Sequence, residues 1–336
     1  MERNMKPILG ITMGDAAGIG PELILKAFRS PQLYGICRPL VIGSLPVMEY
    51  YRDLFASGIG FRAVRHPSQA EFRHGTLDVL DLGQVDVSKL RIGVVAAEPG
   101  NAAVAYTKEA GRLAMEGLIE AIVSAPLNKE SMRLAGHAYE GQTEILAELT
   151  GSRRFGMILI LGRMRVMMLT THIALRKACD AVTKEKVLDM IELSHETLRT
   201  FGIREPRIAV AGLNPHAGEG GLFGTEEATG SRPAVEEAVR RGINAIGPVP
   251  ADVVFVKAKN GEYDLVLAMY HDQANMAAKL LGFGEVTTVL AGLPIIRTSV
   301  GHGTAFDIAG RNVASEQNLI RAIEAAAELA ALKRGR

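Results

Sequence analysis

Short apolar runs alternate with longer helical stretches along nearly the whole chain, and this alternation leaves few folds open. Residues 8–12, 39–43, 79–82, 121–124, 166–170, 208–213 and 264–269 have the length and aliphatic content of strands. Residues 22–28, 102–120, 184–201, 232–241 and 315–333 have helical composition. Pro21 suits the opening position of the first of these helices. The apolar runs lack polar alternation, so both faces of each strand are expected to be covered. The predicted fold is therefore α/β, with mostly parallel sheets between layers of helices. A chain of 336 residues exceeds one typical core, and no internal repeat or low-complexity linker divides it. Two α/β/α domains are predicted, with crossings near residues 126–136 and 294–303. That assigns residues 1–130 and 300–336 to a discontinuous first domain and 131–299 to a second.

Composition excludes several function classes. Hydrophobic residues are 48% of the chain, enough to bury a large core. The formal net charge is +1 with acids and bases well mixed, which argues against nucleic acid or a membrane surface as a partner. No apolar run approaches the roughly 20 residues that a membrane span needs. Residues 1–6 are polar and do not read as a signal peptide. Cys37 and Cys179 lie far apart and outside any C-x-x-C pattern, so neither a disulfide framework nor a cysteine zinc site is expected. The expectation is a cytoplasmic protein. Tryptophan is absent and aromatics are 5%, a poor basis for an aromatic platform.

The strand ends carry the chemistry. Val166-Met167-Met168-Leu169 runs into Thr170-Thr171-His172, Ile208-Ala209-Val210-Ala211 into Gly212-Leu213-Asn214-Pro215-His216, and Leu265-Val266-Leu267-Ala268-Met269 into Tyr270-His271-Asp272-Gln273. Ligands of parallel sheets sit beyond the carboxyl ends of the strands. Three imidazoles delivered to that edge suit a catalytic divalent ion, zinc first, with magnesium, manganese or cobalt as alternatives. For one histidine alone, a strand cap or a local hydrogen bond is an equal reading. For three at matching strand ends the metal reading is the stronger. His66 and His74 in a polar stretch and His195 in a helix read as solvated or structural.

Five motifs in order carry a resemblance. They are Gly14-Asp15-Ala16-Ala17-Gly18-Ile19-Gly20-Pro21-Glu22, Ser124-Ala125-Pro126-Leu127-Asn128-Lys129, Thr170-Thr171-His172, Asn214-Pro215-His216-Ala217-Gly218-Glu219 and Tyr270-His271-Asp272-Gln273. Together they resemble the 4-hydroxythreonine-4-phosphate dehydrogenase (PdxA) family, from about Ile8 to the C-terminal helix. The resemblance implies a homodimer of two-domain subunits related in fold to isocitrate and isopropylmalate dehydrogenases. It also implies a divalent metal near the dimer interface, with ligands at His172, His216 and His271.

The family's phosphate and substrate contacts fall on Thr143, Lys279 and Arg297. Arg as a planar fork and Lys as a point charge suit a small anionic substrate; for each, a solvated surface charge is the plainer alternative. The position before Thr143, a histidine in the family, is Gln142 here. Thr288 stands where an asparagine is expected, and Ala274 where glycine follows Gln273. A neutral amide has replaced a donor able to carry charge, which points away from 4-hydroxythreonine 4-phosphate itself.

For a cofactor, Gly14, Gly18 and Gly20 do not form G-x-G-x-x-G. Their loop could bind an anion at the helix start or be a tight turn. His302-Gly303-Thr304-Ala305-Phe306-Asp307-Ile308-Ala309-Gly310 resembles the adenosine loop of isopropylmalate and isocitrate dehydrogenases. His302, Gly303, Thr304, Ala305 and Asp307 are its candidate contacts. A carboxylate at Asp307 can accept from ribose hydroxyls and repel a 2′-phosphate, which favours NAD over NADP.

The resemblance thus implies metal- and NAD-dependent oxidation of a hydroxy acid, followed by decarboxylation of the resulting β-keto acid. Lys129, Asp252 and Asp272 are candidates for the general base; Asp252 is also able to hold a metal ligand from behind. Four-carbon phosphorylated acids of the threonate or erythronate type are the expected substrates. Alternatives are 4-hydroxythreonine 4-phosphate, a cis-dihydrodiol carboxylate of the terephthalate type, metal-dependent hydrolysis, and a catalytically silent ligand-binding homologue.

Overall fold

A computed structural model describes residues 6–282 and 285–334. Contacts divide the chain into two compact units: the residues up to Arg153 with those from Leu293 onward, and Arg154–Gly292. The crossings fall after residues 153 and 292, where the sequence reading had them near 130 and 300. The first displacement has a packing cause. Ile145 of the helix Gln142–Thr150 shares a buried cluster with Val104 of the helix Ala97–Met115 and with Met132, and so stays with the first unit.

The strands in chain order are β1 (Ile8–Thr12), β2 (Arg38–Gly43), β3 (Gly60–Val64), β4 (Thr76–Asp81) and β5 (Ala121–Ser124) in the first unit. The second unit holds β6 (Gly156–Leu161), β7 (Met164–Met168), β8 (Ile208–Ala211), β9 (Ala245–Val249), β10 (Leu265–Ala268) and β11 (Thr287–Ala291). β12 (Ile296–Val300) returns to the first. In the first unit the order is β3-β4-β2-β1-β5-β12, and every pair is parallel. In the second it is β11-β6-β7-β10-β8-β9, with β7, β10, β8 and β9 parallel and β6 antiparallel to both of its neighbours. The predicted α/β class with mostly parallel sheets is the observed one.

β3, β6, β9, β11 and β12 are strands that the sequence reading did not single out. β6 and β7 form a hairpin turning at Gly162, whose φ is +55°, with Arg163 and Arg165 between its apolar arms. β9 contains Gly247 and Pro248 at the sheet edge, where a missing N–H is tolerated. β12 reads Ile-Arg-Thr-Ser-Val, a polar string that nevertheless lies buried.

In the second unit alternate residues of the same strands supply two separate cores. Met167, Ile208, Val210, Leu265 and Leu267 pack with Val187 and Ile191 of the helix Lys184–Thr200 and with Ala234 of Arg232–Arg240. Val166, Met168, Ala209, Ala211, Val266 and Ala268 pack with Val254 of the helix Ala251–Lys259 and Ala274 of His271–Leu281. This is the two-sided burial that unbroken apolar strands require. In the first unit the helix Gln317–Arg334 lies against β1, β5 and β12, and Ala97–Met115 against β1, β2 and β5. No helix among the described residues is long and apolar enough to cross a membrane.

β1 leads through a tight turn into the helix Gly20–Ala27. Asp15 in this turn is fully buried; its Oδ1 accepts the Ala17 N–H at 2.9 Å, and its own N–H donates to the Pro126 carbonyl at 3.0 Å. Burial pushes its carboxyl up to about 6, against the opposing pull of the Ala17 N–H and of Ser131. The folded state therefore holds this proton more tightly than the unfolded chain does. The stabilisation from it is complete below the ordinary carboxylate range, near pH 4, and is lost as the pH rises through about 6. Asp15→Asn should accordingly gain on the wild type between pH 4 and pH 8, by on the order of 3 kcal/mol. Denaturant unfolding of both proteins at the two pH values checks this; an equal difference at both would refute it.

Candidate functional site

In the second unit β7, β10 and β8 are adjacent and parallel, with Met168 level with Ala268 and Val210 level with Leu267. All three chains leave the sheet at the same edge. Their exits are tied together. Leu169 N–H donates to the Ala268 carbonyl at 2.8 Å, and the Thr170 hydroxyl to the Met269 carbonyl at 2.9 Å. Gln273 joins the other pair: its Oε1 accepts Met269 N–H at 2.7 Å and its Nε2 donates to the Gly212 carbonyl at 2.9 Å.

His172 follows β7 and His271 opens the helix His271–Leu281 after β10; their ring centroids are 5.7 Å apart. His271 Nδ1 lies 2.9 Å from Asp272 Oδ1. A carboxylate there keeps the ring proton on Nδ1 and leaves the Nε2 lone pair available. Asp272 is thus engaged with a histidine. His216, beyond β8, sits in a separate turn with its ring 6.3 Å from that of Phe223. Among the described residues no three His, Cys, Asp or Glu side chains stand close enough to hold a metal ion. Two of the three histidines are side by side, and the third hangs from the next strand of the same edge.

The remaining candidates of this unit are placed as follows. Asp252 is exposed in the first turn of Ala251–Lys259, just past β9 at the same edge, where its charge also suits the helix dipole. Lys279 is exposed in the last turn of His271–Leu281. Thr288 is buried in β11 opposite Leu159 of β6.

In the first unit β5 and β12 run side by side and parallel. Arg297 of β12 is 5% exposed and its Nε donates to Ser124 Oγ at 3.1 Å. Burial lowers its pKa to about 10, with the Glu144 carboxylate opposing the fall. The guanidinium stays charged at neutral pH and has a reason to want an anion. Gln142, the first residue of Gln142–Thr150, donates from Nε2 to the Ala125 carbonyl at 2.9 Å and receives the Thr107 hydroxyl at 3.5 Å. Thr143 is next to it in the same first turn, where helix N–H groups favour negative charge. Lys129 is exposed at the start of Lys129–Leu134, capped by Asn128.

The segment 302–310 lies against the turn after β1. Thr304 is buried; its carbonyl accepts Ile19 N–H at 3.1 Å, and its Oγ1 is 3.5 Å from Asn128 Nδ2. A Cβ on Gly18 would lie 2.9 Å from that of Thr304, so glycine is what permits the approach. The Tyr51 hydroxyl, 3.1 Å from the carbonyls of Ala16 and Gly18, steadies the turn from behind. His302 Nδ1 is 2.9 Å from the Gly303 carbonyl, Ala305 has φ +42°, and Asp307 is exposed.

Sequence reasoning gave no role to Thr170, Gln273 or Glu227. The first two stood in quoted motifs but carry no chemistry of their own. Glu227 stood in none of the quoted motifs, yet it is 2% exposed.

Comparison with known proteins places the chain. Residues 35–326 match the family described as "Pyridoxal phosphate biosynthetic protein PdxA". D-threonate 4-phosphate dehydrogenase of Cupriavidus necator is 46% identical over 325 residues, covering 96% of this chain and 97% of its own. The crystal structure of 4-hydroxythreonine-4-phosphate dehydrogenase from Klebsiella pneumoniae is 42% identical with a TM-score of 0.91, covering 97% of this chain and all (100%) of that one. More distant is a terephthalate 1,2-cis-dihydrodiol dehydrogenase from Burkholderia xenovorans, 28% identical with a TM-score of 0.67 over 96% of this chain and 98% of that one. The motifs at the strand ends, the two α/β units and these full-length likenesses agree: the chain belongs to the PdxA family.

Proposed function

We propose that this protein is a metal- and NAD-dependent dehydrogenase of a 4-phosphorylated four-carbon hydroxy acid, such as 4-phospho-D-threonate or 4-phospho-D-erythronate. The observation that carries the reading is the delivery of His172, His271 and His216 to one sheet edge by three adjacent parallel strands. The name and 46% identity of the Cupriavidus relative support the substrate class.

The donor set suits a divalent ion. His172 and His271 are neighbours, and Asp272 holds His271 by the nitrogen that a ligand would not use. When bound, the ion would act as a Lewis acid on the substrate's secondary hydroxyl. NAD would accept the hydride. The chain's residues do the rest. In the first unit Arg297 offers a forked, desolvated cation to an anionic group, and Thr143 a hydroxyl in the first turn of its helix; in the second unit Lys279 offers a charge. Lys129 or Asp252 takes the hydroxyl proton. The ketone formed lies β to the carboxylate and loses carbon dioxide. Asp307 accepts from the ribose hydroxyls of the nucleotide.

The name of the Klebsiella structure favours 4-hydroxythreonine 4-phosphate as a second reading. Gln142 weighs against it, because its amide is engaged by Ala125 and Thr107. We take the active form to be a homodimer in the cytoplasm. Val253, Val256, Met276 and Leu280 are exposed on two helices that cover one face of the second unit's strands, an apolar surface that a second copy would cover.

Four measurements test this reading. NADH formation should appear with phosphorylated four-carbon acids; activity on an aromatic dihydrodiol alone would sink the substrate assignment. Alanine at His172, His216 or His271 should abolish turnover and remove bound metal with the fold retained, and one variant with normal metal content and activity would break the ligand set. Arg297→Lys keeps a charge but loses the fork, at about 1.5–3 kcal/mol, or roughly ten- to a hundred-fold in kcat/KM. In the same assays Asp307→Ser should erode the preference for NAD over NADP, and an unchanged ratio places the ribose elsewhere.

A further inference from the structure

The turn that carries His216 has an unusual backbone. His216, Ala217, Gly218, Glu219 and Gly220 have φ of +51°, +54°, +82°, +42° and +68°. With Gly221 at +105°, six consecutive residues have positive φ, and three of them are not glycine. L-residues enter this region against a steric penalty, so surrounding contacts must hold them there.

Those contacts converge on one carboxylate. Glu227, 2% exposed, opens the π-helical turn Glu227–Ser231. Its Oε1 accepts the N–H groups of Leu213 at 2.8 Å and Asn214 at 2.7 Å, and its Oε2 accepts Asn214 Nδ2 at 2.9 Å. The same Asn214 amide reaches Glu226 Oε2 at 2.8 Å, and the Asn214 carbonyl accepts Ala217 N–H at 3.1 Å. A Cβ on Gly218 would lie 2.8 Å from Glu227 Oε2, so the turn folds directly onto the carboxylate. A buried acid is costly unless hydrogen bonds meet its charge. Among the described residues, the donors that meet it all belong to the two residues that lead into Pro215 and His216.

We infer that Glu227 is a positioning residue, whose carboxylate fixes the left-handed turn and with it the point from which His216 offers its imidazole to a metal ion. The inference rests on the metal reading above. It requires that loss of the carboxylate alter metal affinity and the order of the turn, and not merely the stability of the fold.

Full-length wild type, Glu227→Gln and His216→Ala are compared by thermal denaturation, by amide hydrogen exchange over residues 212–220 and by calorimetric titration with zinc alone. Glutamine keeps the volume but puts a donor opposite Asn214 Nδ2. Glu227→Gln should remain folded, exchange its Leu213, Asn214 and Ala217 amides at least about ten-fold faster, and bind zinc about 10- to 100-fold more weakly. His216→Ala should lose zinc without faster exchange at Leu213 and Asn214. Wild-type exchange in Glu227→Gln overturns the inference, and so does a loosened turn with wild-type zinc affinity. Should Glu227→Gln not fold, Asn214→Ala removes one of the same bonds and must shift exchange and zinc affinity in the same direction, or the inference fails. Zinc binding absent from the wild type sinks the metal reading instead, and the exchange result then decides whether Glu227 holds the turn.

Discussion

The second unit depends on β10 lying between β7 and β8 in parallel, with the three strands level at their carboxyl ends. Side chains alternate faces along a strand, and here both faces are core. A slip of one residue would move Leu265 and Leu267 into the cluster built around Val266 and Ala268. Two differently shaped cores therefore fix the register. The register fixes the height at which Thr171, Leu213 and Tyr270 leave the sheet, and the histidines follow from that. The bonds from Thr170 and Gln273 across the exits extend the order of the ladder by a residue or two beyond the last strand pair.

The first unit uses the same geometry for a different charge. β5 and β12 bring Ser124 and Arg297 together. A guanidinium held away from water by strand packing gains more from an anion than an exposed one would. Among the described residues of the unit its partners are one hydroxyl and a carboxylate acting at a distance, which leaves most of its five donors for other uses.

The fold class was legible because unbroken aliphatic strands and intervening helices leave little else to build. The histidines were legible for a related reason: each followed such a strand by a few residues. What escaped the sequence shares one property, that burial is decided by partners far along the chain. β12 looks polar because Arg297 and Thr298 meet their partners far along the chain, the Ser124 hydroxyl and the carbonyl of Ala322. Glu227 escapes notice because the N–H groups that donate to its buried carboxylate lie 13 and 14 residues earlier. The displaced crossing at 153 has the same origin, since the helix Gln142–Thr150 is claimed by Ala97–Met115 through apolar contacts that composition does not reveal.

The segment after β12 is fastened twice to one short helix and its lead-in. Near its start, Thr304 is bonded to Ile19. At its end, Ala314 gives its N–H to Glu22 at 2.9 Å and takes Lys26 Nζ on its carbonyl at 2.7 Å, with Glu22 and Lys26 themselves paired at 2.8 Å. Asp307 belongs to neither fastening and faces solvent. Exchanging that side chain disturbs neither fastening, so the charge carried at this position can change while the path of the segment stays as it is.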